Sequence, residues 1–118
     1  MNPTVQAMRT ALAVACRARG VRVNVAMDDF GVGEVLEEAE AGNWSAKEIA
    51  CQVLVRCCVT DGTFNNFQVG FLAVANFIDS QYRPLGKHRV QALQELQSIL
   101  STAGTEQAVR QWLDTNYP

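Results

Sequence analysis

The chain has 118 residues, of which 48% are hydrophobic and 19% are charged, and its formal net charge is −2. The apolar content excludes a disordered chain, and the near balance of charges argues against binding to nucleic acid or a membrane surface through bulk positive charge. A chain of this length buries enough surface to fold without disulfides or metals, so we expect a single domain spanning residues 1–118.

Neither a membrane span nor a secretion signal is visible in the sequence. No segment approaches the roughly 18 consecutive apolar residues of a transmembrane helix, and the N-terminus lacks the basic and apolar regions of a signal peptide. We therefore expect a cytoplasmic protein with no membrane partner, whose cysteines are free thiols in the core. Their spacing does not match a zinc site, and we expect neither metal nor cofactor. The four cysteines are Cys16, Cys51, Cys57 and Cys58.

The N-terminal segment predicts a helix followed by a change of period. Asn2 before Pro3 is a helix-start signature, and apolar residues then recur at spacings of three and four. The predicted helix runs from about Pro3 to Arg19, and Gly20 is placed to end it. Residues 21–27 then alternate between apolar and other side chains with the period of a strand. This segment is interpreted either as an extended connector packed on the helices or as a strand that pairs with a second copy, giving a homodimer through Val21–Val25.

The rest of the chain predicts helices joined by short connections. Ser45 and Glu48 have the spacing of a capping box and predict the start of a third helix. Residues 64–82 are apolar around most of a helix circumference, so this helix is expected in the middle of the domain. The fold class is therefore all-α, a compact bundle of about five to six short helices. The other helices are predicted at residues 33–41, near 87–102 and around 108–113.

Charge is distributed unevenly along the chain. Residues 28–48 carry seven acids and one base, whereas residues 1–27 carry four arginines and no acid. A solvated acidic face is the simpler interpretation of the first segment, and electrostatic attraction of a partner is the functional one. The candidate partner-binding residues are Asp28, Asp29, Glu34, Glu37 and Glu38.

Motifs that carry chemistry are scarce. Nucleophilic catalysis needs a base beside the nucleophile, and the single histidine of the chain, His88, lies between two cations that disfavour its charged form. Gly31 and Gly33 lack the further glycines and the lysine of a phosphate-binding loop. A basic group at the start of the fifth helix is instead a candidate site for an anion or an acidic partner. Its members are Arg83, Lys87, His88 and Arg89.

One segment resembles a DNA-binding motif. Residues 45–55 are similar to the first helix of a helix-turn-helix, but the next helix offers Asn65, Asn66 and Gln68 and no Arg or Lys for base contacts. We therefore expect a non-enzymatic protein–protein interaction module: an inhibitor, an immunity factor or an assembly accessory, of the kind that phages and mobile elements carry. A DNA-binding regulator is the first alternative, which keeps nucleic acid open as a partner, and a cryptic small-molecule enzyme is the second.

Overall fold

Helices make up the secondary structure in the described part of the chain, which confirms the all-α fold class. The computed structural model describes residues 2–29, 31–59, 64–81, 91, 94–96, 98 and 105–116. Of the helix predicted near residues 87–102, only residues 91, 94–96 and 98 are described, and these are helical. The five longer helices are α1 (Pro3–Ala18), α2 (Val32–Gly42), α3 (Ala46–Val59), α4 (Phe64–Gln81) and α5 (Thr105–Asn116).

Both ends of α1 are stabilised by the residues that predicted them. The Asn2 side-chain oxygen accepts from the backbone N–H groups two and three residues later, at 2.9 and 3.2 Å. At the other end Gly20 takes a positive φ of 68°, and the N–H of Val21 donates to the carbonyl of Cys16 at 2.9 Å. This is a Schellman motif, which turns the chain sharply out of the helix.

The strand predicted for residues 21–27 is wrong. Residues 23–24 are helical, and Val25–Asp29 form a π-helical turn. Alternation would bury Val23 and expose Ala26, yet Val23 is 37% exposed and Ala26 is fully buried. β-Branched residues favour a strand only where a neighbouring strand can pair with them, and the described residues contain none. Packing on the helices therefore overrides the local pattern.

This correction removes the physical basis for a dimer formed by strand pairing. Both Val21 and Val25 are partly buried and pack against the core, and their backbone N–H groups donate within the chain, to Cys16 at 2.9 Å and to Arg22 at 3.0 Å. Their backbone therefore presents no strand edge to a second copy. The homodimer itself stays a prediction.

α4 is the central helix, as its apolar circumference predicts. It packs against both α1 and α3, and Leu72 and Asn76 are the only side chains between residues 69 and 77 that keep partial exposure. α5 lies on α3, where Trp112 is buried with its ring centre 5.7 Å from that of Phe71. α2 packs on α3 and on the π-helical turn. The core thus lies between α1, α4 and α3, and among the described residues no charged side chain is buried in it.

Gly70 allows α4 to approach α3 closely. A Cβ atom at this position would lie 2.5 Å from the Cβ and 2.8 Å from the Sγ of Cys57. Both distances are well inside van der Waals contact, and both residues are buried. A larger residue at this position therefore requires the two helices to move apart.

We expect Gly70→Ala to destabilise the protein by about 1–3 kcal/mol, because overpacking at the crossing outweighs the roughly 1 kcal/mol by which alanine is the better helix former. Urea denaturation measures the change. Gly42→Ala is a suitable comparison. Its added Cβ would lie 2.8 Å from Nε1 of Trp44, and this contact is with a side chain, which can move aside. A Gly70→Ala protein more stable than wild type would contradict the close crossing.

Candidate functional site

Three of the five predicted partner-binding acids lie on one face of α2. Glu34, Glu37 and Glu38 are all exposed and lie within about 100° of the helix circumference. These three residues are called the acidic face below. Asp28 is exposed on the preceding π-helical turn, and the side chain of Asp29 is outside the described residues.

The acidic face points outward because the other side of α2 is apolar. Those apolar side chains are fully or almost fully buried against the core. Asn43 caps the C-terminal end of the helix with a positive φ of 51°, and the N–H of Trp44 donates to the carbonyl of Ala39 at 3.1 Å. The burial and this terminal turn together set the orientation of the helix. The buried residues are Val32, Val35, Leu36 and Ala39.

A second polar cluster, between α3 and α5, was not predicted from the sequence. Both oxygens of the Glu48 carboxylate accept from the Arg110 guanidinium, at 2.7 and 2.9 Å. Arg110 and Gln52 also donate to one oxygen of Glu106, at 3.0 and 2.8 Å. The hydrogen bond from Arg110 is the main cause of the lowered pKa of Glu48, and that from Gln52 is the main cause of the lowered pKa of Glu106.

The capping box predicted at the start of α3 is half present. The Ser45 hydroxyl accepts from the backbone N–H of Glu48 at 3.2 Å, as an N-cap does. The Glu48 carboxylate is instead held by Arg110, which lies 62 residues further along the chain. The local sequence could indicate only the pairing of Glu106 with Arg110, because they are four residues apart on one helix.

A small cavity of about 100 Å³ lies between the first turns of α3 and the C-terminal half of α5. Cys51 contributes to its wall and is 1% exposed, and burial raises the pKa of its thiol to about 11. The charged side chains around it are already paired, Arg110 with Glu48 and Lys47 with Asp114 at 3.0 Å. A protonated, buried thiol is a poor nucleophile and a poor metal ligand at neutral pH.

The other residues that the sequence singled out lie partly within and partly outside the residues that the structure describes. Cys16, Cys51 and Cys57 are buried and form no disulfide, as predicted, whereas the side chain of Cys58 is outside the described residues. Where side chains are described, no group of three or more His, Cys, Asp and Glu is placed to hold a metal. Among the described helices, none combines the length and apolar character needed to cross a bilayer. The side chains of Asn65, Asn66 and Gln68 are outside the described residues. The predicted basic group is also outside them: Arg83, Lys87, His88 and Arg89.

The Arg110 cluster should make stability depend on pH. A lowered carboxyl pKa stabilises the folded state above the pKa of the unfolded chain, and this contribution is lost as the pH falls through the folded-state value. We expect Arg110→Gln to flatten the dependence of the urea midpoint on pH between about 5 and about 3. Lys47→Gln, which leaves the Glu48–Arg110 pair intact, should keep the dependence. Equal slopes for wild type and Arg110→Gln would contradict this assignment.

Burial should also protect the described thiols from alkylation. At pH 8 we expect iodoacetamide to modify Cys51 roughly a hundredfold more slowly in the native protein than in urea, because the thiolate is the reactive form. Cys16 and Cys57, which are buried too, should be protected alongside it. Mass spectrometry of the digested protein measures each site separately. Modification of Cys51 at the same rate with and without urea would show that the thiol is accessible.

No protein-family model, curated protein or solved structure matches this chain. The charges on its described surface are therefore the basis for a functional proposal. They form two groups with different surroundings. Between α3 and α5 the acids are paired with basic side chains, whereas on α2 the acidic face has no such pairing among the described residues.

Proposed function

We propose that this protein is a non-enzymatic interaction module that binds a basic surface of another protein through the acidic face of α2. The observation that carries the proposal is the contrast between two sets of acids. Glu34, Glu37 and Glu38 are exposed and make no ion pair with any described residue. The acids of α3 and α5 that line the cavity are paired with Lys47 and Arg110.

Mutual repulsion on the acidic face favours binding of a cation. Glu34 lies three and four residues before Glu37 and Glu38, so both pairs are neighbours on the helix surface. Like charges at these spacings destabilise a helix by roughly 0.2–0.5 kcal/mol per pair. A basic partner would relieve this repulsion on binding, and opposite charges would also accelerate its association.

The acidic face is held in place by the rest of the fold. The N-terminus of α1 is joined to α2 through Asn2, whose backbone N–H donates to Glu40 at 3.2 Å and whose side-chain amide donates to Asn43 at 3.3 Å. The opposite side of α2 is buried in the core. A helix fixed on its far side and at its C-terminal end loses little backbone entropy when it binds a partner.

Binding of this kind suits an inhibitor, an immunity factor or an assembly accessory, because each acts by covering a partner surface. The DNA-binding alternative receives less support from the fold. A recognition helix must present a side to the major groove, whereas α4 is covered almost all round between residues 69 and 77. The cavity beside Cys51 likewise gives the enzymatic alternative little support, since its thiol is protonated at neutral pH.

Affinity capture from a lysate of the source organism tests the proposal. We compare wild type with Glu37→Gln/Glu38→Gln and with Gln107→Lys/Gln111→Lys. The second variant is a control that changes the net charge by the same +2, but on the exposed side of α5. We expect wild type and control to retain a basic protein that the acidic-face variant binds about tenfold less, the equivalent of two surface ion pairs.

Salt provides a second criterion for the same experiment. Raising it from about 50 to about 500 mM should release the captured protein from wild type, because exposed charges are screened over a shorter distance. Equal retention by wild type and both variants would exclude the acidic face as the binding surface. Capture of nucleic acid in place of a protein would favour the DNA-binding alternative.

A further inference from the structure

α5 lies on the surface of the domain with one side buried and the other exposed. It packs on α3, and Trp112 also contacts Phe71 of α4. The opposite side of the helix is exposed between residues 106 and 115. The interface with α3 is therefore the main contact between α5 and the other described helices. The buried side chains of α5 are Ala108, Val109, Trp112 and Leu113.

The ion pairs across this interface lie at its rim, in contact with water. Lys47 of α3 binds Asp114 of α5, and Glu48 of α3 binds Arg110 of α5. All four side chains are at least 32% exposed. Water competes for such pairs and salt screens them, so each contributes little to stability. The docking of α5 therefore depends mainly on its four buried side chains.

The interface is also incompletely packed. The cavity of about 100 Å³ lies between the two helices, and Cys51 of α3 and Leu113 of α5 both line it. Atoms beside a gap lose the dispersion contacts that close packing would supply. The cavity therefore reduces the free energy that is gained when α5 docks on α3.

A polar atom without a partner adds a third weakness at the C-terminal end of α5. Asn116 continues the buried stripe of the helix, four residues after Trp112, and its side-chain amide donates to the Trp112 carbonyl at 2.9 Å. Its Oδ1 atom is buried and accepts no hydrogen bond from any described residue. Burial of an acceptor without a donor costs free energy, and water would satisfy this atom if α5 left α3.

We propose that α5 is a releasable helix that covers the thiol of Cys51, and that it leaves α3 while the rest of the domain stays folded. α1, α3 and α4 contact one another directly, so their packing does not depend on α5. Cys51 is 1% exposed, and Arg110, Leu113 and Asp114 of α5 form the other wall of its cavity. Release of α5 would therefore open this thiol to solvent. The proposal is independent of the acidic face of α2.

The released state is expected to be a minor population, because Trp112 and Leu113 lose their burial in it. Local openings of this kind have a smaller free-energy cost than unfolding of the whole domain. α5 thus acts as a gate that decides when a reagent can reach Cys51. The thiol reacts with soft electrophiles in the open state and is protected in the closed state.

Alkylation of the native protein by iodoacetamide in rising urea tests the proposal. A thiol exposed by local release reacts at a rate that urea hardly changes, whereas a thiol exposed by global unfolding reacts faster with each increment of urea. Cys57 is the internal control, because it lies at the close crossing of α3 with α4. Each rate is divided by the rate of the same thiol in the unfolded protein. Fragment ions in mass spectrometry distinguish Cys57 from Cys58.

Below the unfolding transition we expect Cys51 to react about tenfold faster than Cys57 and almost independently of urea. Cys57 should follow the urea dependence of global unfolding. Equal protection of the two thiols would overturn the proposal. A rate for Cys51 that rises with urea as steeply as the rate for Cys57 would overturn it as well.

Two substitutions on α5 should change the reaction of Cys51 in opposite directions. Arg110→Gln removes an ion pair with α3 and should accelerate it about threefold. By its charge alone Arg110 lowers the pKa of Cys51, against the larger effect of burial, so an effect of charge without release would slow the reaction instead. Arg22→Gln removes the same charge from an exposed position outside α5 and should have no effect. Acceleration by Arg22→Gln, or slowing by Arg110→Gln, would contradict the release of α5.

Asn116→Ala removes the acceptor that docking leaves without a donor, so we expect it to slow the reaction of Cys51 about threefold. Asn116 does not line the cavity, and its effect therefore separates release of the helix from entry of the reagent through the cavity mouth. An unchanged rate would show that iodoacetamide reaches Cys51 without release, and the proposal would fail. Circular dichroism establishes that each variant is folded. If Arg110→Gln is unfolded, Lys47→Gln takes its place and should accelerate the reaction about twofold.

Discussion

Burial of α4 between α1 and α3 is the constraint on which the rest of the structure depends. A helix that is apolar around most of its circumference must be covered on more than one side, and two helices are needed to do so. Gly70 lets α3 come close enough to exclude voids at the crossing with Cys57. With both flanks of α4 occupied, α2 and α5 pack on α3, and the charged side chains of the described residues are all left outside the core.

The exposed charges fall into two different arrangements. Between α3 and α5 each charge faces one of opposite sign, and Arg110 joins two carboxylates in a network that helps to hold the C-terminal helix in place. On α2 and at the end of α1 the charges of each sign are grouped with their own kind, and the described residues leave them unpaired. The first arrangement joins α3 to α5, whereas the second contributes no ion pair within the described part of the chain.

Prediction from the sequence succeeded where the signal was local or depended on a single helix. Asn2 and Ser45 cap their helices as their positions indicate, because an N-cap needs only the backbone of the next turn. It failed at residues 21–27, where the strand-like alternation had no strand to pair with, and at Glu48, whose carboxylate found a stronger donor than its own helix terminus. Both failures involve competition between a local preference and a distant contact.

The sequence by itself determined the helical class, the start of α1 and α3, the central place of α4 and the outward direction of the acidic face, since all of these follow from apolar periodicity and from short-range hydrogen bonds. Only the tertiary structure decided which charges are paired. Arg110 pairs with Glu48, which lies 62 residues away in the sequence. Arg17 and Glu37 are closer together in the sequence, yet they form no ion pair. Ion pairing depends on a separation in space of a few ångströms, and that separation is set by how the helices pack around α4.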